Sequence, residues 1–257
     1  MKLGITNCLH LEGYGEARRA VDKAALAYYA ALKPKGYKLV LHAVGSSDMD
    51  REAAEAAGWQ YMERSNDDRG KKRNDALDEL AAQCDVIVRI GSDDLLSLAL
   101  LDEIVRRAKV GREGYWELKG FYAYDLPGDN LALWHSKQFA LAIMTDRLQG
   151  PSHRTSGTGP DDSGLDVKWR GWGSPYYQLP HSDERPMVAI SSGDEIHGYS
   201  YYMQTEPFMC KINEEGAAYI NKHFPGFLKS LNTGTVSTTG VSQKNASTKK
   251  NKRDTQA

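Results

Sequence analysis

The chain has 257 residues, 33 Lys and Arg against 34 Asp and Glu, and a formal net charge of -1. That length buries a real core, and the near-neutral balance argues against a protein that works mainly by electrostatic binding to nucleic acid. The three cysteines are odd in number and lack C-x-x-C spacing, which argues against a zinc site or a disulfide framework and fits a reducing, cytoplasmic setting. The first half alternates strand and helix. KLGITNCL is a strand. Glu16 to Leu32 is a helix with Ala17, Ala20, Val21, Ala24, Ala27, Tyr28 and Ala31 on one face, ended by Pro34 and Gly36. YKLVLHAVG is a strand, Met49 to Ala57 a helix stopped by Gly58, and WQYMER a third strand. Lys71 to Gln83 is a helix and DVIVRI a strand; Leu101, Ile104, Val105 and Ala108 stripe a fourth helix. This alternation predicts an α/β fold with a doubly wound, mostly parallel sheet.

From Gly111 to Tyr202 the chain turns rich in Gly, Pro, Tyr and Trp, with short β-like runs in GFYAYDL and NLALWH. Helices are expected at Gln138–Gln149 and at Asp162–Arg170. This half reads as irregular, acceptor-side structure on a rigid sheet. The expected organisation is one domain over 1–229, with a donor-binding half at 1–110 and an acceptor half at 111–229. Residues 230–257 carry almost no bulky apolar side chain and read as a disordered tail, in which Lys244, Lys249, Lys250, Lys252 and Arg253 outnumber Asp254. No apolar run is long enough to span a bilayer, and the N-terminus is interrupted too early for a signal peptide.

The chemistry concentrates where DVIVRI ends. Asp93 and Asp94 follow that strand, and ligands in open α/β sheets bind outside the carboxyl ends of strands. Two carboxylates there suit a hard divalent cation that carries a phosphate, or one of them caps the next helix. Thr6 and Asn7 at the end of the first strand, and Gly45, Ser46 and Ser47 after the second, line the same edge.

RGKKRNDALDELAAQCDVIVRIGSDDLL resembles the core of the GT-A glycosyltransferases, especially family 2. Lys72-Arg73-Asn74 matches the family's basic turn and Ser92-Asp93-Asp94 the end of its Asp-x-Asp-Asp metal motif, with Gly91 where the family has its first Asp. GPDDSGLDVKWRGWG resembles the segment that carries the catalytic base. In that register Asp161 or Asp162 is the base, Leu165 takes the Leu position, and Lys168 or Arg170 is the basic residue. The resemblance implies an inverting, metal-dependent glycosyltransferase. Thr6, Asn7, Gly45, Lys72, Arg73, Asn74, Asp93 and Asp94 would bind the nucleotide-sugar donor, and Asp93 and His197 would hold Mn²⁺ or Mg²⁺. The aromatic-rich middle is similar to compact glycosyltransferases of bacteriophages, some of which modify hydroxymethylated bases in DNA. The alternatives are a nucleotidyltransferase acting on a sugar phosphate, although LEGYGEARR has Gly13 and Gly15 but lacks the third Gly and the Lys of a phosphate loop, and a non-catalytic sugar- or nucleic-acid-binding module.

Overall fold

The computed structural model describes residues 1–67, 69–111, 114–147, 176–193, 199, 203, 209–212 and 215–234. In chain order these form β1 (Lys2–Cys8), α1 (Glu16–Ala31), β2 (Lys38–Gly45), α2 (Asp48–Ala56), β3 (Gln60–Glu63), α3 (Arg69–Ala81), β4 (Val86–Ile90), β5 (Asp94–Leu96) and α4 (Leu98–Val110). They continue as β6 (Tyr115–Asp125), β7 (Asn130–Met144), β8 (Tyr176–Pro180), β9 (Met187–Ser191), β10 (Met209–Ile212), α5 (Gly216–His223) and α6 (Phe227–Gly234). Among the described residues no helix is long and apolar enough to cross a membrane.

One α/β sheet organises the molecule, in the order β3-β2-β1-β4-β7-β6-β9-β5, with β10 also on β7 and β8 also on β6. The first four strands are parallel, as the alternation of strand and helix predicts. The chain then departs from a simple doubly wound sheet. β7 runs antiparallel to both β4 and β6, so a long β6–β7 ribbon carries the sheet from the first half into the second. β8 and β9 pair with successive stretches of β6, both in parallel. The ribbon's register shifts between Lys119 and Phe121, where Gly120 takes φ 80, a conformation L-residues avoid.

The helix expected at Gln138–Gln149 is instead the end of β7, followed by a 3₁₀ turn at Thr145–Arg147. Leu141, Ala142 and Ile143 are all buried because this stretch lies between β4 and β6. A strand covered on both faces reads as an unbroken apolar run, and periodicity cannot separate it from a buried helix. The helix expected at Asp162–Arg170 lies outside the described residues.

The core falls mainly on the face of the sheet that α1 and α4 cover. Leu3 and Ile5 of β1, Val86 and Val88 of β4, and Leu101 and Ile104 of α4 share it with Trp116, and each is at most 2% exposed. α1 buries Val21, Ala24 and Tyr28 of the expected face, and its buried surface extends beyond that face. Ala17 and Ala31 are exposed, whereas Arg18, Asp22, Ala25 and Tyr29 are buried along one stripe. α6 closes the core over α1, with Phe227 fully buried and Leu231 at 8% exposure. The ordered chain therefore extends past Ser230, the expected start of the tail. Burial of Leu231 explains the shift, and 235–257 lie outside the described residues.

Candidate functional site

β1, β2 and β4 bring their carboxyl ends to one edge of the sheet, and β4 runs directly into the turn Gly91–Asp94. The two adjacent carboxylates of this turn have different fates. Asp94 folds back: its Oδ2 accepts the Gly91 N–H at 2.7 Å while its own N–H donates to the Gly91 carbonyl at 3.2 Å. Its backbone pairs with Ala189 in β9, and the Tyr29 hydroxyl donates to its carbonyl at 3.0 Å. Asp94 thus shapes the turn. Asp93 points outward with 26% of its side chain exposed, and its Oδ1 pairs with Arg18 Nη2 at 2.8 Å.

Gly91 has a steric reason to be glycine. A Cβ there would meet Asp94 Oδ2 at 2.7 Å and Asp93 Oδ1 at 3.1 Å, so oxygens of both carboxylates converge over its bare Cα. The aspartate that the resembled motif carries at this position has no room beside the folded Asp94 carboxylate. Gly91→Ala is therefore expected to break the turn's hydrogen bond and destabilise the protein by about 1–3 kcal/mol. Urea unfolding checks this, and a variant within a few tenths of a kcal/mol of wild type would show that the turn yields freely.

Behind the turn, α1 supplies a buried polar pair. Arg18 Nε donates to Asp22 Oδ1 at 2.8 Å, and Arg18 Nη2 also reaches Ser92 Oγ at 3.0 Å. The Tyr14 ring lies 5.0 Å from the guanidinium. Burial works against the Arg18 charge, but Asp93 and Asp22 outweigh it and raise its pKa further. Burial, then the neighbouring Asp93, pushes Asp94 up to about 7. Burial pushes Asp22 up to about 6 against the pull of Arg18.

Both carboxyls hold protons in the folded chain that the unfolded chain releases at ordinary carboxylate pH. Their contribution to stability is complete below that range and is lost as pH rises through about 6 and about 7. Asp94→Asn keeps the acceptor oxygen and cannot ionise. Its stability relative to wild type should therefore rise between about pH 5 and pH 8. Comparing the two proteins cancels His42 and His181, whose lowered pKa values act in the opposite direction. Melting curves that keep a constant separation across this range would refute the shift.

A second polar network joins the ends of β1, β2 and β3. The buried Lys72 ammonium donates to the Leu9 carbonyl at 3.0 Å and to Asn66 Oδ1 at 2.7 Å. Asn66 in turn contacts His10 Nδ1 at 2.8 Å and donates to Ser46 Oγ. Asp50 accepts from the backbone N–H groups of Leu11 and Ser46, which ties the loops after β1 and β2 together. Lys72, Arg73 and Asn74 lie within α3, as the helix expected from Lys71 predicts, and Lys72 holds the loop edge in place.

The other expected donor residues sort by burial. Thr6 lines a small cavity with Cys8, Val44, Arg73, Arg89 and Ile90. Asn7 is fully buried, and among the described residues neither of its side-chain polar atoms has a hydrogen-bond partner, a cost that a bound water or ligand relieves. Asn74 is buried too. Gly45 is glycine for packing, since a Cβ would meet Asp50 Cβ at 2.4 Å and Tyr61 Cε2 at 2.8 Å. Ser47 caps α2 by accepting the Asp50 N–H. Asp161, Asp162, Leu165, Lys168, Arg170 and His197 lie outside the described residues.

Sequence reasoning did not single out Arg18, Asp22, His10, Asp50 or Asn66 for this edge. The four-residue spacing of Arg18 and Asp22 on a helix was the one available signal.

The outward Asp93 carboxylate is a hard oxygen donor of the kind Mg²⁺ or Mn²⁺ prefers, while Asp94 Oδ2 is committed to the Gly91 N–H. The Arg18 guanidinium on Asp93 Oδ1 is a cation standing at that position. On both counts Asp93 fits a divalent ion. Among the described residues no three His, Cys, Asp or Glu side chains cluster as a complete metal site.

No family model and no curated protein matches the chain by sequence. Solved structures do. S. aureus TarS superposes with a TM-score of 0.53 at 13% identity, over 90% of this chain and 43% of that chain. TarS 1–349 in complex with UDP-GlcNAc gives 0.52 at 13% identity, over 90% of this chain and 72% of that one. The UDP complex of TarS 1–349 gives 0.51 at 15% identity, over 89% and 71%. The fold is GT-A-like. At this identity the likeness establishes the fold alone, and the chain spans less than half of full-length TarS.

Proposed function

We propose that the chain transfers a sugar from a nucleotide-sugar donor to an acceptor hydroxyl, with inversion, using a divalent cation held on Asp93. The observation that carries this reading is the acidic turn itself. It places an outward carboxylate beside a bare glycine at the carboxyl end of the central parallel strands, in a fold shared with a protein solved with UDP-GlcNAc bound. Mn²⁺ or Mg²⁺ would supply positive charge to a departing diphosphate. Asp93 would hold that ion while Asp94 keeps the turn in shape. The Lys72–Asn66–His10 network would fix the loops that meet the nucleoside. Asp162 or Asp161 would take the acceptor's proton, a role that rests on their match to the family's base segment.

The nucleotidyltransferase alternative needs the loop before α1 as a phosphate cradle. In that loop the His10 ring lies against Gly13, where a Cβ would meet its Nε2 at 2.1 Å, and Arg18 turns inward to Asp22. The deciding experiment incubates the protein and Mn²⁺ with a panel of nucleotide sugars and acceptor hydroxyls, hydroxymethylated DNA among them, and identifies the products. Sugar-dependent release of a nucleoside diphosphate supports transfer. Pyrophosphate release from a nucleoside triphosphate and a sugar phosphate would replace the reading with nucleotidyl transfer. Donor binding without either product would leave a binding module.

A further inference from the structure

We infer that Arg18 is an exchangeable counter-ion of the acidic turn: it occupies Asp93 until a divalent cation arrives, then passes to the donor's diphosphate. The inference rests on the donor and cation reading above and adds a residue that the resemblance does not mark. Its basis is the unequal way in which the guanidinium is held. Nε is anchored to Asp22 Oδ1 at 2.8 Å, and Asp22 has no exposed surface. Nη2 is shared between Ser92 Oγ at 3.0 Å and Asp93 Oδ1 at 2.8 Å, and Asp93 is the outward carboxylate. The Tyr14 ring face, 5.0 Å from the guanidinium carbon, limits its tilt. One edge is therefore fixed and the other can change partners without moving α1.

The charge at the turn favours the exchange. Asp22 and Asp93 both reach the one Arg18 guanidinium, so its charge is divided between two carboxylates. A divalent ion on Asp93 competes with Nη2 for the same oxygen and repels the guanidinium. A diphosphate sharing that ion brings several anionic oxygens to the displaced N–H groups, and a planar guanidinium binds such oxygens in pairs. Arg18 would thus weaken binding of the bare metal and strengthen binding of the metal–donor pair. A purely structural Arg18, which only holds Asp93 in place, predicts that metal binding weakens when it is removed.

The test measures Mn²⁺ binding by calorimetry on the full chain without nucleotide, then binding of UDP, CDP, ADP and GDP at saturating Mn²⁺. The proteins are wild type, Arg18→Gln and Arg18→Lys. Arg18→Gln is expected to bind Mn²⁺ about three- to tenfold tighter and the preferred nucleoside diphosphate about tenfold weaker. Arg18→Lys keeps the charge but not the fork, and should fall between the two on both measures. It decides the matter if Arg18→Gln fails to fold by circular dichroism. Unchanged or weaker Mn²⁺ binding in the variants overturns the exchange and leaves the cation reading standing. Mn²⁺ binding to none of the proteins overturns the cation reading together with the exchange. Mn²⁺ binding without a response to any nucleoside diphosphate overturns the donor reading and the second role of Arg18 with it.

Discussion

Asp93→Ala is expected to lower sugar transfer by at least about 100-fold while the protein stays folded. The two halves of this prediction have separate physical causes. Asp93 is the carboxylate of the turn that faces outward, so on the proposed reading its loss would remove the anchor for a cation and, with it, the charge compensation for a leaving diphosphate. Its structural role is smaller. Arg18 keeps Asp22 and Ser92 as partners, and the turn keeps the Asp94 hydrogen bond to Gly91. A partly exposed ion pair contributes on the order of 1 kcal/mol, so the melting temperature should move by only a few degrees. Steady-state turnover and a thermal melt of the same preparation check both parts. Full turnover in a folded Asp93→Ala variant would reject Asp93 as the cation's ligand. Asp94→Ala should show the opposite balance, because its carboxylate is an internal part of the turn and its removal strikes the fold first.

Ending the chain before Phe227 is expected to destabilise the protein by about 3–5 kcal/mol, whereas ending it after Gly234 should leave the melting temperature within about a degree or two of wild type. Phe227 is fully buried, and Leu231 lies in the core where α6 packs on α1. Removing them uncovers Phe224 and Tyr28, whose rings meet at 5.8 Å, and opens the helix that carries Arg18 and Asp22. The shorter truncation should therefore lose stability and nucleotide binding together. Equal melting temperatures for the two truncations would show that α6 adds nothing to the core.

The parts of the fold and site that were legible in the sequence share one property: their signals are local. Strand and helix periodicity from Lys2 to Ile90 gave β1–β4 and α1–α3 within about two residues, because each buries one face against a neighbour and the pattern repeats at the element's own period, whereas the three-residue β5 is too short to show a period. The acidic pair was visible because it ends an apolar strand. β7 was misread at Gln138 because burial on both faces erases the period, and pairing with β6 and β4 makes that stretch a strand.

The stripe of α1 was read in part. Val21, Ala24 and Tyr28 are core as the spacing predicts, while Ala17 and Ala31 are exposed and the buried side also carries the Arg18–Asp22 pair, to which Asp93 and Ser92 add contacts. Lys72 likewise reads as a phosphate-facing cation but is held by the Leu9 carbonyl and Asn66.

The sequence by itself determined the α/β alternation, the place where the sheet's carboxyl edge meets two acids, and the match of those acids to a metal motif. The tertiary structure decided what each acid does. Asp93 and Asp94 are adjacent in the chain and chemically identical, yet one is folded onto Gly91 and the other faces outward against Arg18, which lies 74 residues from Ser92 in sequence. The physical reason is that a carboxylate's role depends on which cation and which N–H groups reach it. Here the N–H group is Gly91's own, and the cation is Arg18 of α1, which folding brings beside the turn.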